Sequence, residues 1–160
     1  MGMSIWVDAD ACPVIVRELI GKTAIRTQTP AIFVANQAIK LPKSPLIGLQ
    51  VVAAGFDVAD AHIVKHCQRG DLVITNDIPL ASDAINKGAS VITTRGQAYT
   101  ADNIKQALNM RDFMDTMRGT GVINPQETAK TGQKPYGSKD KKAFADALNR
   151  LVRRQHTCHT

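Results

Sequence analysis

Aromatic side chains are scarce. Phe, Trp and Tyr make up only 4% of the 160 residues, too few for a nucleic-acid platform built on stacked rings. Cysteine is scarce too. The three, Cys12, Cys67 and Cys158, are odd in number and widely spaced. That argues against a disulfide framework and sets the expectation of a reducing cytoplasm. No run of about 18 apolar residues occurs, and no basic segment followed by an apolar one opens the chain, so neither a membrane span nor a secretory leader is expected. Acids are outnumbered, 14 Asp and Glu against 20 Lys and Arg, for a net charge of +6. A basic balance favours a polyanionic partner.

What is present is ordinary for a globular domain: 44% hydrophobic and 21% charged residues in a length that suits one domain with a real core. The charge is unevenly placed. Residues 1–110 are near balance, whereas 111–154 hold Arg111, Arg118, Lys130, Lys134, Lys139, Lys141, Lys142, Arg150, Arg153 and Arg154 against fewer acids. The basic excess belongs to the C-terminal third.

Short apolar runs at 3–7, 31–35, 49–54, 71–75 and 89–93 read as strands. Between them, Pro13 at a first helical position and Gly21 as a stop bound one helix. Residues 59–69 form another, with Gly70 as its C-cap, and 79–87 a third, ended by Gly88. The alternation predicts an α/β fold, a five-stranded, mostly parallel sheet with helices on both faces. A longer helix at 101–117, a Gly- and Pro-rich loop at 119–138 and a basic amphipathic helix at 140–154 complete one domain.

Ligands of such sheets bind beyond the carboxyl ends of the strands. Asp8 and Asp10 follow the first strand and Asp77 the fourth, while Asp57 and Asp60 flank a helix start. If strands one and four are neighbours, these carboxylates converge, which is costly without a cation among them. Oxygen ligands favour Mg2+ or Mn2+. The competing reading is that each aspartate caps a helix, but two as close as Asp8 and Asp10 exceed what one cap needs.

The segments VDADACP, GFDVADAHIV, DLVITNDIPLA and TGQKPYGSKDKKAFADAL, in that order, resemble the YaiI/YqxD family of uncharacterised bacterial proteins over nearly the whole chain. That family in turn resembles, more distantly, the PIN-domain nucleases. The PIN resemblance implies a metal site of Asp8, Asp60 and Asp77, with Asn76 beside it in Thr75-Asn76-Asp77. PIN nucleases commonly add a glutamate on an earlier helix. Glu18 lies too early for it, and Asp10 is the candidate to stand in.

Other groups weigh less. His62 and His66 have helical spacing for zinc, but His66 and Cys67 point to different faces and no acidic third ligand is obvious, so a structural role is expected. His156, Cys158 and His159 lie in a polar end expected to fray. Cys12 reads as a small buried thiol rather than a nucleophile. In GQKPYGSKDKK, Lys134, Lys139, Lys141 and Lys142 flank a helix start with Ser138 as its expected N-cap, an arrangement that suits phosphate. The alternative there is a solvated linker. Arg95, after strand five, lies at the same sheet edge.

The leading expectation is a PIN-like, divalent-metal-dependent nuclease or phosphodiesterase acting on RNA in the cytoplasm. Asp8, Asp10, Asp60 and Asp77 form its catalytic set, and the basic third holds the nucleic acid. Two alternatives stand beside it. One is a non-catalytic nucleic-acid-binding or regulatory protein. The other is a haloacid-dehalogenase-like phosphatase using Asp8 and Asp10 as its DxD.

Overall fold

Apolar residues of alternating direction build the sheet. The structure, a computed structural model, describes residues 3–53, 58–109 and 136–157, without the side chains of Ala11 and 153–157. Strand β1 is Ile5–Asp8, followed by a 3-10 turn at Ala9–Ala11 and helix α1 at Val14–Thr27. Then come β2 (Ala31–Ala35), β3 (Ile47–Val51), α2 (Val58–His66), β4 (Leu72–Ile74), α3 (Ile78–Asn86), β5 (Ser90–Ile92) and β6 (Ala98–Tyr99). Helix α4 is described over 101–109 and α5 spans Ser138–Thr157. The expected loop at 119–138 falls almost wholly outside the described residues, as does the end of the expected helix at 101–117.

The sheet order is β3-β2-β1-β4-β5-β6. All neighbours are parallel except β5 and β6. The expected five strands are therefore six: the two-residue β6 is too short to leave a period in the sequence. β1 is central, with Val7 level with Phe33 on β2 and Ile74 on β4.

The two-residue period of a strand sends successive side chains to opposite faces. Ile5, Val7, Leu72 and Ile74 pack with Val16 and Ile20 of α1 and with Phe144 and Leu148 of α5. Trp6, Val73 and Val91 face the other way, against Ile63 of α2, Leu80 of α3 and Ile104 of α4. Helices thus cover both faces. No helix among the described residues is long and apolar enough to cross a membrane.

Several boundaries differ from expectation for local reasons. Pro13 stands just before α1, and its carbonyl accepts from Val16 N and Arg17 N at 3.0 and 3.1 Å. Gly21 does not end that helix. It is buried inside it, where a methyl group would lie 2.9 Å from Pro42 Cγ and 3.4 Å from Ile47 Cδ1. The glycine makes room for the chain that packs on it, and the helix ends instead at Gln28, in the left-handed conformation at φ 57°.

Candidate functional site

The central strand delivers Asp8 at its last position, at the carboxyl edge of the sheet. Asp8 is 8% exposed. It caps nothing with its side chain. Instead its Oδ2 accepts from the Thr75 hydroxyl at 3.1 Å, across the seam between β1 and the end of β4. Asp10, exposed on the 3-10 turn, accepts from Asn36 N at 3.0 Å and so ties the end of β2 to the same edge. Asp77 follows β4. Its Oδ1 accepts from Leu80 N at 2.8 Å, and its own N–H donates to Thr75 Oγ1 at 3.0 Å. The capping role weighed for each aspartate is thus real for Asp77, and absent for Asp8.

Burial pushes the Asp8 carboxyl above its ordinary range. The Thr75 hydroxyl opposes this, while the charges of Asp10 and Asp77 reinforce it. The three carboxylates therefore feel one another. None of the three is in an ion pair with Lys or Arg among the described residues. Asp8 Oδ1 and Asp77 Oδ2 accept no hydrogen bond there, leaving one oxygen on each.

Asp60 is placed differently. It stands in the first turn of α2, on the wall of a cleft of about 410 Å³ between α2 and α3, with Lys65, Pro79, Leu80 and Asp83. Asp57 lies outside the described residues. Among the described residues, no three His, Cys, Asp or Glu side chains are grouped to hold a metal ion. The donors at Asp8, Asp10, Thr75 and Asp77 are all oxygens. Mg2+ retains several waters and is commonly held by one or two carboxylates, so this donor chemistry suits such an ion without a closed cage.

The residues expected to hold substrate divide into braces and free cations. Asn76 Oδ1 accepts from Thr94 N and Thr94 Oγ1 at 3.0 and 3.1 Å, joining the ends of β4 and β5. Arg95 pairs with Asp140 at 2.9 Å and lies 5.7 Å over the Tyr136 ring. The Tyr136 hydroxyl donates to Thr94 O at 2.8 Å. These contacts clamp the 93–97 turn to the start of α5. Gly96, at φ 85°, is where the two touch: a Cβ there would lie 2.5 Å from Ala143 C and O and 2.8 Å from Phe144 N.

Ser138 is not the N-cap of α5 but its first residue. Gly137 precedes it, accepting from Lys141 N at 3.1 Å and donating to Asp140 Oδ2 at 3.0 Å. The carboxylate that caps the helix start from within is therefore the one that holds Arg95. Burial of Phe144, Ala147 and Leu148 turns Lys139, Lys141 and Lys142 to solvent. Lys134 lies outside the described residues.

Burial pushes the Cys12 thiol up to about 12, with the Asp8 charge adding and the Arg17 charge opposing. The thiol is neutral at physiological pH and unsuited to nucleophilic attack. His62 and His66 stack with centroids 4.2 Å apart beside Trp6, and His66 Nδ1 donates to His62 O at 2.8 Å. Burial lowers the His62 proton affinity. His156, Cys158 and His159 lie outside the described side chains.

Three groups escaped the reading of the sequence. Asp71, 7% exposed at the opposite edge, accepts from Ser4 N, Trp6 Nε1 and Gln68 N at 3.0, 3.0 and 2.9 Å. Its only signal was a lone acid opening an apolar strand. Tyr136 carried none beyond its place in the basic segment. Arg17 carried no signal in the sequence, yet its Nε is buried without an acceptor among the described residues.

Order β3-β2-β1-β4-β5 with helices on both faces defines a doubly wound α/β domain, here with an acidic site at the carboxyl ends of two adjacent central strands. The family described as "Uncharacterized BCR, YaiI/YqxD family" matches residues 6–154, and the chain belongs to it. A UPF0178 protein of Psychrobacter cryohalolentis is 66% identical over 151 residues, 94% of this chain and 100% of that one. UPF0178 proteins of Cellvibrio japonicus and Idiomarina loihiensis are 53% and 49% identical, over 96% and 94% of this chain and 98% of each of theirs. No solved structure matches the chain.

Proposed function

We propose that the protein is a divalent-metal-dependent phosphodiesterase acting on single-stranded RNA. The observation that carries the reading is the buried Asp8, set beside Asp10 and Asp77 at the carboxyl edge with no cationic side chain paired to any of them among the described residues. Asp8 and Asp77 would hold Mg2+ or Mn2+ through the oxygens left over from Thr75 and from the cap of α3. Asp10 adds negative charge from the 3-10 turn. Such an ion, when bound, offsets charge on the phosphoryl oxygens and supplies a nucleophilic water. The chain's own part is to orient the carboxylates through Thr75, Asn36 and Leu80, and to offer the exposed lysines of α5 to the strand's phosphates. Asp60 lies on the neighbouring cleft and is not in the proposed ligand pair.

Two alternatives draw less from the geometry. Asp8 as a phosphatase nucleophile must reach an incoming phosphorus, yet it is buried and bonded to Thr75. A purely binding protein needs only α5 and leaves the acidic group unexplained. Calorimetry with Mn2+ and cleavage of a labelled single-stranded RNA test the reading together. Binding should stabilise the fold by about 2.7 kcal/mol at a hundredfold excess over Kd, and both effects should vanish in Asp8→Asn. Mn2+ binding that survives Asp8→Asn refutes it.

A further inference from the structure

Helices α2 and α3 lie on one face of the sheet, where Ile63 and Leu80 belong to the same core cluster. Each connects parallel strands, so each starts at the carboxyl edge. The cleft of about 410 Å³ between them reaches into both first turns, at Asp60 of α2 and at Pro79 and Leu80 of α3. Ala61 and Val64 extend its apolar wall, and Lys65 and Asp83 add charge. Lys87 donates to Val64 O and Lys65 O and ties the far ends of the two helices together. One residue joins the cleft to the acidic group: Leu80 lines it, and the Leu80 amide donates to Asp77 Oδ1 at 2.8 Å. Small-molecule sites have volumes of about 300–1,000 Å³, so the cleft is large enough for a ligand that lies against Asp77.

Its lining narrows what that ligand is. Asp60 and Asp83 outweigh Lys65, which disfavours a phosphate, while the Lys65 ammonium disfavours a simple cation. A wholly apolar ligand takes water from the charged groups and returns no hydrogen bond. The Asp83 carboxylate and the Lys65 ammonium make no hydrogen bond or ion pair among the described residues. Apolar walls with one acceptor-only and one donor-only group suit the edge of an unstacked nucleobase. Among the bases of RNA, guanine alone sets N1–H and N2–H side by side for one carboxylate, with O6 as the neighbouring acceptor. Adenine and cytosine place a ring acceptor next to the amino group, and uracil flanks its N–H with carbonyls. Each of those three turns a lone pair toward the carboxylate and is repelled.

We propose that the cleft between α2 and α3 binds a guanine base of the RNA, next to the phosphodiester presented to Asp8 and Asp77. This rests on the phosphodiesterase reading above and names the base that the site selects. Val64 and Pro79 flank the base from the two helices. Asp83 accepts from its N1–H and N2–H, and Lys65 donates to its O6. Asp83 and Lys65 are then residues of specificity, and the Leu80 amide couples the filled cleft to Asp77.

Nucleosides test the cleft without phosphate or metal. In 15N-labelled, metal-free protein, guanosine should shift the amides of Ala61, Val64, Leu80 and Asp83, and adenosine, cytidine and uridine should not. Inosine, which lacks the 2-amino group, should bind about tenfold more weakly than guanosine. Asp83 is exposed, so Asp83→Asn should keep the amide spectrum and lose the preference for guanosine. With Mn2+, an RNA holding a single guanosine should be cut beside it by the wild type, and Asp83→Asn should cut a guanosine-free RNA at the wild-type rate. Unmoved amides, equal shifts from all four nucleosides, or cleavage that ignores the guanosine overturns the proposal. Failure of the parent reading looks different: guanosine still binds and still depends on Asp83, while neither Mn2+ binding nor cleavage depends on Asp8.

Discussion

Replacing Gly96 with alanine probes how the basic helix is seated. Gly96 has φ 85°, where an L side chain is strained, and the new methyl would sit 2.5 Å from the Ala143 carbonyl group. Backbone atoms inside a packed helix cannot swing aside as a flexible side chain can. Gly70 supplies the control: its φ is 90°, and a Cβ there meets nothing within 4 Å. Gly70→Ala therefore measures backbone strain alone, about 1–2 kcal/mol. Gly96→Ala adds overpacking of about 1–3 kcal/mol, for a total of roughly 2–5 kcal/mol. At about 2–4 °C per kcal/mol for a chain of this size, the melting temperature should fall by roughly 10 °C in Gly96→Ala and by less than half of that in Gly70→Ala. Urea unfolding, with the slope m compared between variants, separates lost stability from a change in what unfolds. Equal losses in the two variants would refute the seating of α5 on the 93–97 turn.

Two further outcomes follow from the buried carboxylates. The folded state binds the Asp8 proton more tightly than the unfolded chain, so its contribution is greatest in acid and declines as pH rises from the ordinary carboxylate value through the higher folded one. Asp8→Asn should therefore be more stable than the wild type in EDTA at pH 7, with the gap closing in acid; a less stable variant at pH 7 contradicts the electrostatics. Asp71→Ala strands three donors, Ser4 N, Trp6 Nε1 and Gln68 N, and should cost about 3 kcal/mol at about 1 kcal/mol each. The single tryptophan reports the lost bond as a shift in emission, and a loss below about 1 kcal/mol would remove Asp71 as a brace.

The alternation of apolar runs and helical segments was legible because each strand is short, apolar and set off by glycine, proline or a polar turn. The order of strands was not, yet the guess that strands one and four are neighbours brought Asp8 and Asp77 to one edge, as β1 and β4 do. What the sequence hid was local. Gly21 reads as a stop by its propensity, and only the approach of Pro42 explains it inside a helix. Asp60 shares a helix start with Asp57, and the sequence holds nothing to say that it lines a cleft with Leu80 and Asp83. Arg95 has the composition of a phosphate ligand, but its partner Asp140 is 45 positions away. Pairings over such distances leave no trace in spacing or periodicity.

The position of β1 between β2 and β4 has a temporal consequence. A chain leaving the ribosome exposes β1 to β3 first, and that half can assemble three parallel strands with Asp8 and Asp10 in place. It lacks Thr75, 67 positions beyond Asp8, and Asp77 just after it. Only when β4 inserts beside β1 does the acidic group exist, and only after β5 and β6 does α5 gain its seat against Gly96. A chain that stops before β4 therefore carries neither the acidic group nor the seat of α5, and one that stops before α5 carries the first without the second. The strand order thus sets the sequence in which the two are assembled.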